Sequence, residues 1–356
     1  MSEIKKSFST EKFVASYPVQ QEHDNLRLDQ FVMTCMPTLS RQFLKSKIEK
    51  GEVEISGRKP PHKSSVKVHF GETVTITTWN DNEIEEEFWR GEVVPKTQEP
   101  KVVFEDKDII VINKPPFMIT HPAGRNLFYC ATVFFETIHK HTIHSIHRLD
   151  RETTGILILG KNPKAAQKVS LLFEEDKVRK CYFLIAHKNE NAVSFPFTAK
   201  ERMGRKENVI PESMIFTYPE TAEEGKDAET HFELILEKDG IVLALAFPVT
   251  GRQHQIRVHA AEHGYPLLGD KIYNGDPQVF IRFKDHQANE DDHEKMQIPR
   301  QALHAAALKL PYPTQEMTRF IAPLPVDLSQ WIEKKLGLTH EEVEKMMEEK
   351  IKKFLT

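Results

Sequence analysis

The chain has 356 residues, and its 49 Lys+Arg against 53 Asp+Glu leave a net charge of −4, which by itself gives no support to nucleic-acid binding. That length suits two or three domains, its 39% hydrophobic residues suffice for a sizeable core, and no apolar run approaches the length of a membrane span. The N-terminus lacks an apolar signal core and carries Glu11 and Glu22, so the chain reads as a soluble cytoplasmic protein; Cys35, Cys130 and Cys181, far apart and without a CxxC pair, argue against a disulfide framework or a thiolate zinc site.

Residues 1–25 are polar and read as an N-terminal arm or an extra edge element. Leu26-Arg27-Leu28-Asp29-Gln30-Phe31-Val32 predicts a short helix with Leu28, Phe31 and Val32 on its apolar side. After Pro37, Ser40 is placed to cap a second helix that carries Phe43, Leu44 and Ile48 and ends at Gly51. Val53 and Ile55 alternate with charged residues, Ser56-Gly57 marks a turn, and Val66, Val68, Val74 and Ile76 add strand signal. Over residues 26–70, nine Lys/Arg stand against four acids, a local excess that suits a phosphate backbone and equally suits an ordinary solvated face.

The order of these pieces over residues 26–79 resembles the S4 RNA-binding domain: Arg27-Leu28-Asp29 opening the first helix, Ser40-Arg41 the second, Gly51-x-Val53-x-Ile55-x-Gly57 at the hairpin, and Gly71-Glu72-x-Val74 near the end. That resemblance implies RNA contacts from Arg41, Lys45, Lys47 and Arg58.

Residues 80–101 form an acidic linker, with Asp81, Glu83, Glu85, Glu86, Glu87 and Glu92, punctuated by Pro95 and Pro100. A larger domain over residues 102–328 opens with two apolar runs around Glu105-Asp106-Lys107-Asp108, a predicted β-hairpin. Further strand-like runs occur at 156–159, 181–186, 232–236 and 241–245. Strand follows strand more often than helix, which predicts an α+β domain with a mixed, largely antiparallel central sheet. Residues 285–295 hold no apolar anchor and read as a surface insertion, ordered or not. Residues 329–356 predict one or two amphipathic helices, broken near Gly337.

The segment His147-Arg148-Leu149-Asp150-Arg151-Glu152-Thr153-Thr154-Gly155 carries the most chemistry. An aspartate in such a loop is ordinarily a turn former. Here Asp150 lies between Arg148 and Arg151, two threonines and a glycine follow, and apolar strands flank the loop. A carboxylate that stays ionised in a partly dry cleft needs such a cationic partner. Lys180, Tyr182 and Leu184 share one face of a predicted strand. Residues 253–262 predict a helix after the Gly251 turn, with Gln253, His254 and Gln255 clustered at its start and Arg257 projecting from it.

This string resembles the signature of the RluA-type pseudouridine synthases, His-Arg-Leu-Asp-x-x-Thr-Ser-Gly, with Thr154 as the one departure; the hydroxyl is kept. The resemblance extends in order over residues 102–328. It includes Asn113-Lys114-Pro115-Pro116, His121-Pro122, Arg179-Lys180-Cys181-Tyr182 and the run Thr250-Gly251-Arg252-Gln253-His254-Gln255-Ile256-Arg257-Val258-His259. Pro266-Leu267-Leu268-Gly269-Asp270-x-x-Tyr273, Leu303-His304-Ala305 and Pro323-Leu324-Pro325 complete it.

It implies the pseudouridine synthase fold and isomerisation of uridine in structured ribosomal or transfer RNA, with no cofactor and no metal. It implies also a role for Asp150 as nucleophile at C1′ or base at C2′, between which the residues do not choose. Tyr182 would lie against the flipped base and Arg257 would pair with Asp150. Arg148 would fill the space the base vacates, and Arg252 would contact RNA. Neither DNA nor a membrane is expected as partner, and a monomer is favoured.

Two other functions fit the same residues. One is an RNA-binding assembly factor or chaperone with the same fold but no catalysis, against which the intact set Asp150, Tyr182 and Arg257 argues. The other is a carboxylate hydrolase, which needs a partner acid such as Glu152. His139, His141, His144 and His147 crowd one region without cysteine or paired carboxylate, and residues 124–130 lack phosphate-loop spacing, so neither a metal nor a nucleotide cofactor is expected.

Overall fold

The computed structural model describes residues 4–9, 11–36, 41–80, 87–95, 98–123 and 126–354. The expected cap Ser40, the linker acids at 81–86 and residues 124–125 lie outside the described residues. The chain divides into two compact units, Met1–Glu86 with Ile119–Ile143, and Glu87–Met118 with His144–Thr356.

In the first unit, strands β1 (Lys5–Phe8), β2 (Lys12–Pro18), β3 (Val53–Ile55) and β4 (Thr73–Trp79) form an antiparallel sheet in the order β1-β2-β4-β3. Helices α1 (Leu28–Cys35), α2 (Arg41–Glu49) and α3 (Ala131–His139) belong to the same unit. The first 25 residues thus supply an interior strand as well as an edge. The reason is period two: Phe13, Ala15 and Tyr17 alternate inward from β2 and join Leu28, Phe31, Leu44, Ile48, Val74 and Ile76 in one core. Val66 and Val68 form no strand; their backbones bond instead to residues 26 and 28.

Two expected RNA contacts need correction in this unit. Lys47 is buried, and its Nζ donates to Glu52 Oε2 at 2.8 Å and to the Thr77 carbonyl at 3.0 Å, so it joins α2 to the sheet. Arg58 is paired with Glu72 and donates to the Lys67 carbonyl at 3.0 Å, which leaves little of its charge for a phosphate. Arg41 and Lys45 are exposed on α2.

The second unit begins with a small hairpin, β5 (Phe88–Trp89) and β6 (Glu92–Val93). Its central sheet contains β7 (Lys101–Glu105), β8 (Ile109–Lys114), β9 (His144–Ser145), β10 (Thr154–Gly160) and β11 (Arg179–His187). A second hairpin, β13 (Arg202–Gly204) and β14 (Phe216–Tyr218), stands apart from that sheet and follows its edge strand β12 (Phe197–Ala199). The sheet is completed by β15 (Thr230–Lys238), β16 (Ile241–Pro248), β17 (Leu303–Pro311) and β18 (Met317–Ile321). Strand order is β12-β15-β16-β11-β17-β10-β8-β7, with β18 on β17 and β9 on β10. Every pairing is antiparallel except β10 with β17, which run parallel at Thr154–His304 and Gly155–Ala305. The sheet is therefore mixed and largely antiparallel, as the strand-after-strand pattern predicts.

Helices α4 (Pro163–Glu174), α5 (Gln255–Glu262), α6 (Gln278–Lys284), α7 (Glu290–Met296), α8 (Val326–Leu336) and α9 (His340–Phe354) flank it. Strand β11 shows how the sheet sets the site. Cys181, Phe183 and Ile185 pack with Leu328, Ile332, Val343 and Met347 of α8 and α9. Tyr182, Leu184 and Ala186 point the other way, toward Ile256 and Ala260 of α5.

The segment expected as a surface insertion contains α7. Asn289 and Asp292 close a reciprocal capping box, Arg282 clamps the buried Asp292 at 2.6 and 2.7 Å, and the helix is anchored at its end by the buried Met296, just past the expected segment. The C-terminal helices break after Leu336 as expected, although α8 starts at Val326, three residues before the predicted boundary. Among the described residues no helix is long and apolar enough to cross a membrane.

Candidate active site

The site is built on the loop that enters β10. Its first anchor is His147, whose Nε2 accepts the Ile158 N–H at 3.0 Å while its ring stacks on Phe173. Burial holds this imidazole down at about 3, so it is neutral, as its role as an acceptor requires. Thr153 N–H closes a turn on the Asp150 carbonyl at 3.1 Å. At the strand entrance Gly155 adopts φ +106°, and a Cβ there would come within 2.2 Å of the Ala305 carbonyl oxygen. Only glycine permits this close parallel approach of β10 to β17. Beneath the loop, the fully buried Lys114 donates to the carbonyls of Pro115, Met118 and Arg151.

These anchors hold Asp150 at an open cleft lined also by Arg148, Thr153, Lys180, Tyr182, Arg252, His254 and Arg257. The structure thus gathers into one cleft five of the residues singled out from the sequence: Asp150, Tyr182, Arg257, Arg148 and Arg252. Arg41, Lys45, Lys47 and Arg58 belong to the other unit.

Asp150 Oδ2 accepts from Arg257 Nη1 at 3.1 Å and, at 3.4 Å, from Gln301 Nε2. Desolvation raises the Asp150 pKa, but neighbouring cationic and hydrogen-bonding groups outweigh it and hold the carboxyl below its usual value. His254 lies 3.8 Å away, yet burial and Arg257 hold it at about 4, so it is neutral at pH 7 and Arg257 is the cation that keeps Asp150 ionised. His254 Nδ1 meets the Tyr273 hydroxyl at 2.8 Å. With that hydroxyl donating, the ring proton sits on Nε2 and faces the carboxylate favourably, whereas the other tautomer would set a lone pair against it.

Arg257 projects from α5 and is itself locked. Its Nε and Nη2 grip Asp270 at 2.6 and 2.8 Å, and Tyr273 lies over the guanidinium with its ring centroid at 5.0 Å. Asp270 is fully buried and also accepts the N–H groups of Ile272 and Tyr273. The left-handed turn at Gly269 (φ +72°), where a Cβ would meet the Arg300 carbonyl oxygen at 2.0 Å, delivers Asp270 to this place.

Tyr182 faces the cleft from β11. Burial and the negative Asp150 raise its hydroxyl's pKa, so it stays protonated. Lys180, two residues away, donates to the carbonyls of Val249 and Thr250 at 3.0 Å, and burial brings it down to about 8. Arg252 is held by the Asp227 carbonyl and its own N–H bonds Gln255 Oε1. For Arg148, exposed at the rim, no hydrogen bond or ion pair is found among the described residues.

Glu152, the hydrolase candidate's second acid, is spoken for. It pairs with Lys271 at 2.8 Å and accepts the Gln301 N–H at 2.9 Å. Gln301 was not visible from the sequence, although it lies two residues before the Leu303-His304-Ala305 string. Asp270 stands in the Pro266-Leu267-Leu268-Gly269-Asp270 string, whose residue types alone do not point to Arg257. Among the described residues no group of three or more His, Cys, Asp or Glu is arranged to hold a metal ion.

The RNA pseudouridylate synthase family matches residues 108–262. The ribosomal large subunit pseudouridine synthase D of Haemophilus influenzae is 33% identical over 88% of this chain and 92% of its own length. The chain belongs to the RluA-type RNA pseudouridine synthases. A protein of the same printed name from Pasteurella multocida is 30% identical over 89% of this chain and 94% of its own. The solved human RNA pseudouridylate synthase domain containing 4 shares the fold at TM-score 0.51, with 23% identity over 66% of this chain and 92% of that one. The pseudouridine synthase described here is accordingly an isomerase that acts on RNA, and the reading as a silent RNA-binding protein is not favoured.

Proposed function

We propose that Asp150 is the carboxylate that drives the isomerisation, and that the substrate is a uridine of large-subunit ribosomal RNA, flipped into the cleft. The reaction breaks N1–C1′ and joins C5 to C1′; C5 gives up a proton and N1 gains one, so no electrons or further atoms are needed. An ionised carboxylate serves either as nucleophile at C1′ or as base at C2′. The single observation that carries this reading is Asp150 open to the cleft yet bonded to an arginine that Asp270 locks in place. Such preorganisation keeps the carboxylate charged and aimed without reorganisation during the reaction.

Tyr182 would stack on the flipped uracil and offer its hydroxyl to the proton that moves. Arg148, for which no partner is found among the described residues, would enter the stack and offset the few kcal/mol that extrusion costs. The first unit would act as an S4-like RNA-binding module through Arg41 and Lys45. The ribosomal target follows the names of the relatives, and such an enzyme would work in the cytoplasm.

The test is to map pseudouridines in ribosomal and transfer RNA from cells lacking the gene, then from cells complemented with wild type or Asp150→Asn. We expect a site in large-subunit RNA to vanish and to return only with wild type. Loss in transfer RNA alone would move the substrate, and loss nowhere would overturn the reading.

A further inference from the structure

Beside the catalytic cleft lies a second pocket, lined by Met203, Gly204, Arg205, Ile215, Gly225, Lys226, Gly251, Arg252 and Gln253. It sits between the β13–β14 hairpin and the start of α5. Three of its lining residues are cations and none is acidic. Two of the cations are held by neutral partners. Arg205 Nη2 donates to Gln253 Oε1 at 3.0 Å, and Arg252 Nε donates to the Asp227 carbonyl at 2.9 Å. A guanidinium positioned by an amide or carbonyl oxygen keeps its full net charge, whereas one paired with a carboxylate does not. Arg202 shows the contrast: it lies on the same hairpin and is neutralised by the Asp227 carboxylate. The third cation, Lys226, has its backbone fixed by a reciprocal pair of hydrogen bonds with Met203 at 2.8 and 2.9 Å. Glycines 204, 225 and 251 put no side chain into the space.

Gly251 and Arg252 line both this pocket and the cleft that holds Asp150. A strand with one base in the cleft that leaves on this side would pass over Arg252. We propose that this second pocket binds a backbone phosphate of the RNA, one that flanks the uridine seated in the cleft. Three cations, none with a carboxylate partner among the described residues, around a glycine-lined hollow fit a phosphodiester, which is anionic, compact and the same at every nucleotide. The proposal rests on the reading that a uridine occupies the cleft. It adds the contact that sets the strand's path beyond it.

The experiment uses the full chain with Arg205→Gln and Lys226→Gln together, and Arg205→Lys with Lys226→Arg as the charge-keeping control. Affinity for poly(U) is measured against salt, and turnover is followed on RNA from cells lacking the gene, labelled with tritium at uridine C5. For the glutamine pair we expect Kd to rise by about tenfold, and the slope of log K against log salt to flatten by about 0.7, the share of one single-strand phosphate contact. Turnover at saturating RNA stays within about twofold of wild type, and the control pair restores both affinity and slope. An unchanged Kd and slope in the glutamine pair would overturn the proposal, as would a loss of saturated turnover at unchanged Kd. A wild type that releases no tritium from any RNA would instead overturn the catalytic reading, while the salt slopes still decide the pocket.

Discussion

Arg257 is shared between two carboxylates: it grips Asp270 with two nitrogens at 2.6 and 2.8 Å and reaches Asp150 with the third at 3.1 Å. Asp270 and Arg257 are both buried, so the pair is also structural. Asp270→Asn leaves the arginine without its clamp. Removing one member of a buried pair costs about 3–5 kcal/mol. Urea unfolding should show a loss of that order, and kcat should fall with it because Asp150 loses a fixed partner. A variant with wild-type stability and kcat would show that the clamp does no such work.

Gln301 reaches both the Asp150 carboxylate and Thr153, whose Oγ1 accepts from its Nε2 at 2.8 Å. Gln301→Glu would put a second negative charge beside Asp150. Asp150 now lies below its ordinary value, so it is ionised through the neutral range. A like charge raises its pKa, and the active ionised form is then lost at a higher pH as the solution is acidified. The acid limb of the kcat profile should therefore move upward in pH, with Gln301→Met shifting it less in the same direction. An acid limb that stays in place in the glutamate variant would contradict this placement.

How far the sequence could be read depended on how local each contact is. The loop around Asp150 was legible because turn-forming and strand-forming residues abut there, and Gly155 marks a backbone approach that only glycine allows. The position of Arg257 on a helix was legible from its segment, while its pairing with Asp150 was implied only by the family resemblance. Asp270 and Gln301 were not assigned roles, since their contacts join residues far apart in the chain through a turn and a strand entrance. Charge does not report burial, and nothing near Lys47 in sequence says that the Thr77 carbonyl closes over it; Arg58 stays partly exposed, and its pairing with Glu72 is equally invisible in its own segment. The strand over Lys12–Pro18 was expected at most as an edge element; its interior place follows from Phe13, Ala15 and Tyr17 pointing to one face between two other strands. The helix Glu290–Met296 escaped because a capping box and an Arg282–Asp292 clamp hold its start, and its one buried apolar side chain, Met296, comes only at its last residue.

For the Tyr182 hydroxyl no hydrogen bond is found among the described residues, while its ring packs in the core that includes Leu184 and Ile256. Tyr182→Phe should therefore leave the unfolding free energy within about 0.5 kcal/mol of wild type. If the hydroxyl handles the moving proton, kcat should drop by about a hundredfold to ten-thousandfold with KM little changed. Full kcat in the phenylalanine variant would reduce Tyr182 to a stacking platform.

Gly155→Ala tests the strand junction. The substitution meets both a positive φ and the Ala305 carbonyl, so β10 and β17 must part. We expect a loss on the order of 3 kcal/mol or more in urea unfolding. A cost below about 1 kcal/mol would mean that the junction yields easily.

The central claim is that Asp150 performs the chemistry. Isomerisation removes the hydrogen at C5, so RNA tritiated there releases label to water only if the glycosidic bond has been remade. Purified wild type and Asp150→Asn should bind RNA from gene-deleted cells with similar Kd, and only wild type should release tritium. Release by Asp150→Asn at the wild-type rate would contradict the account.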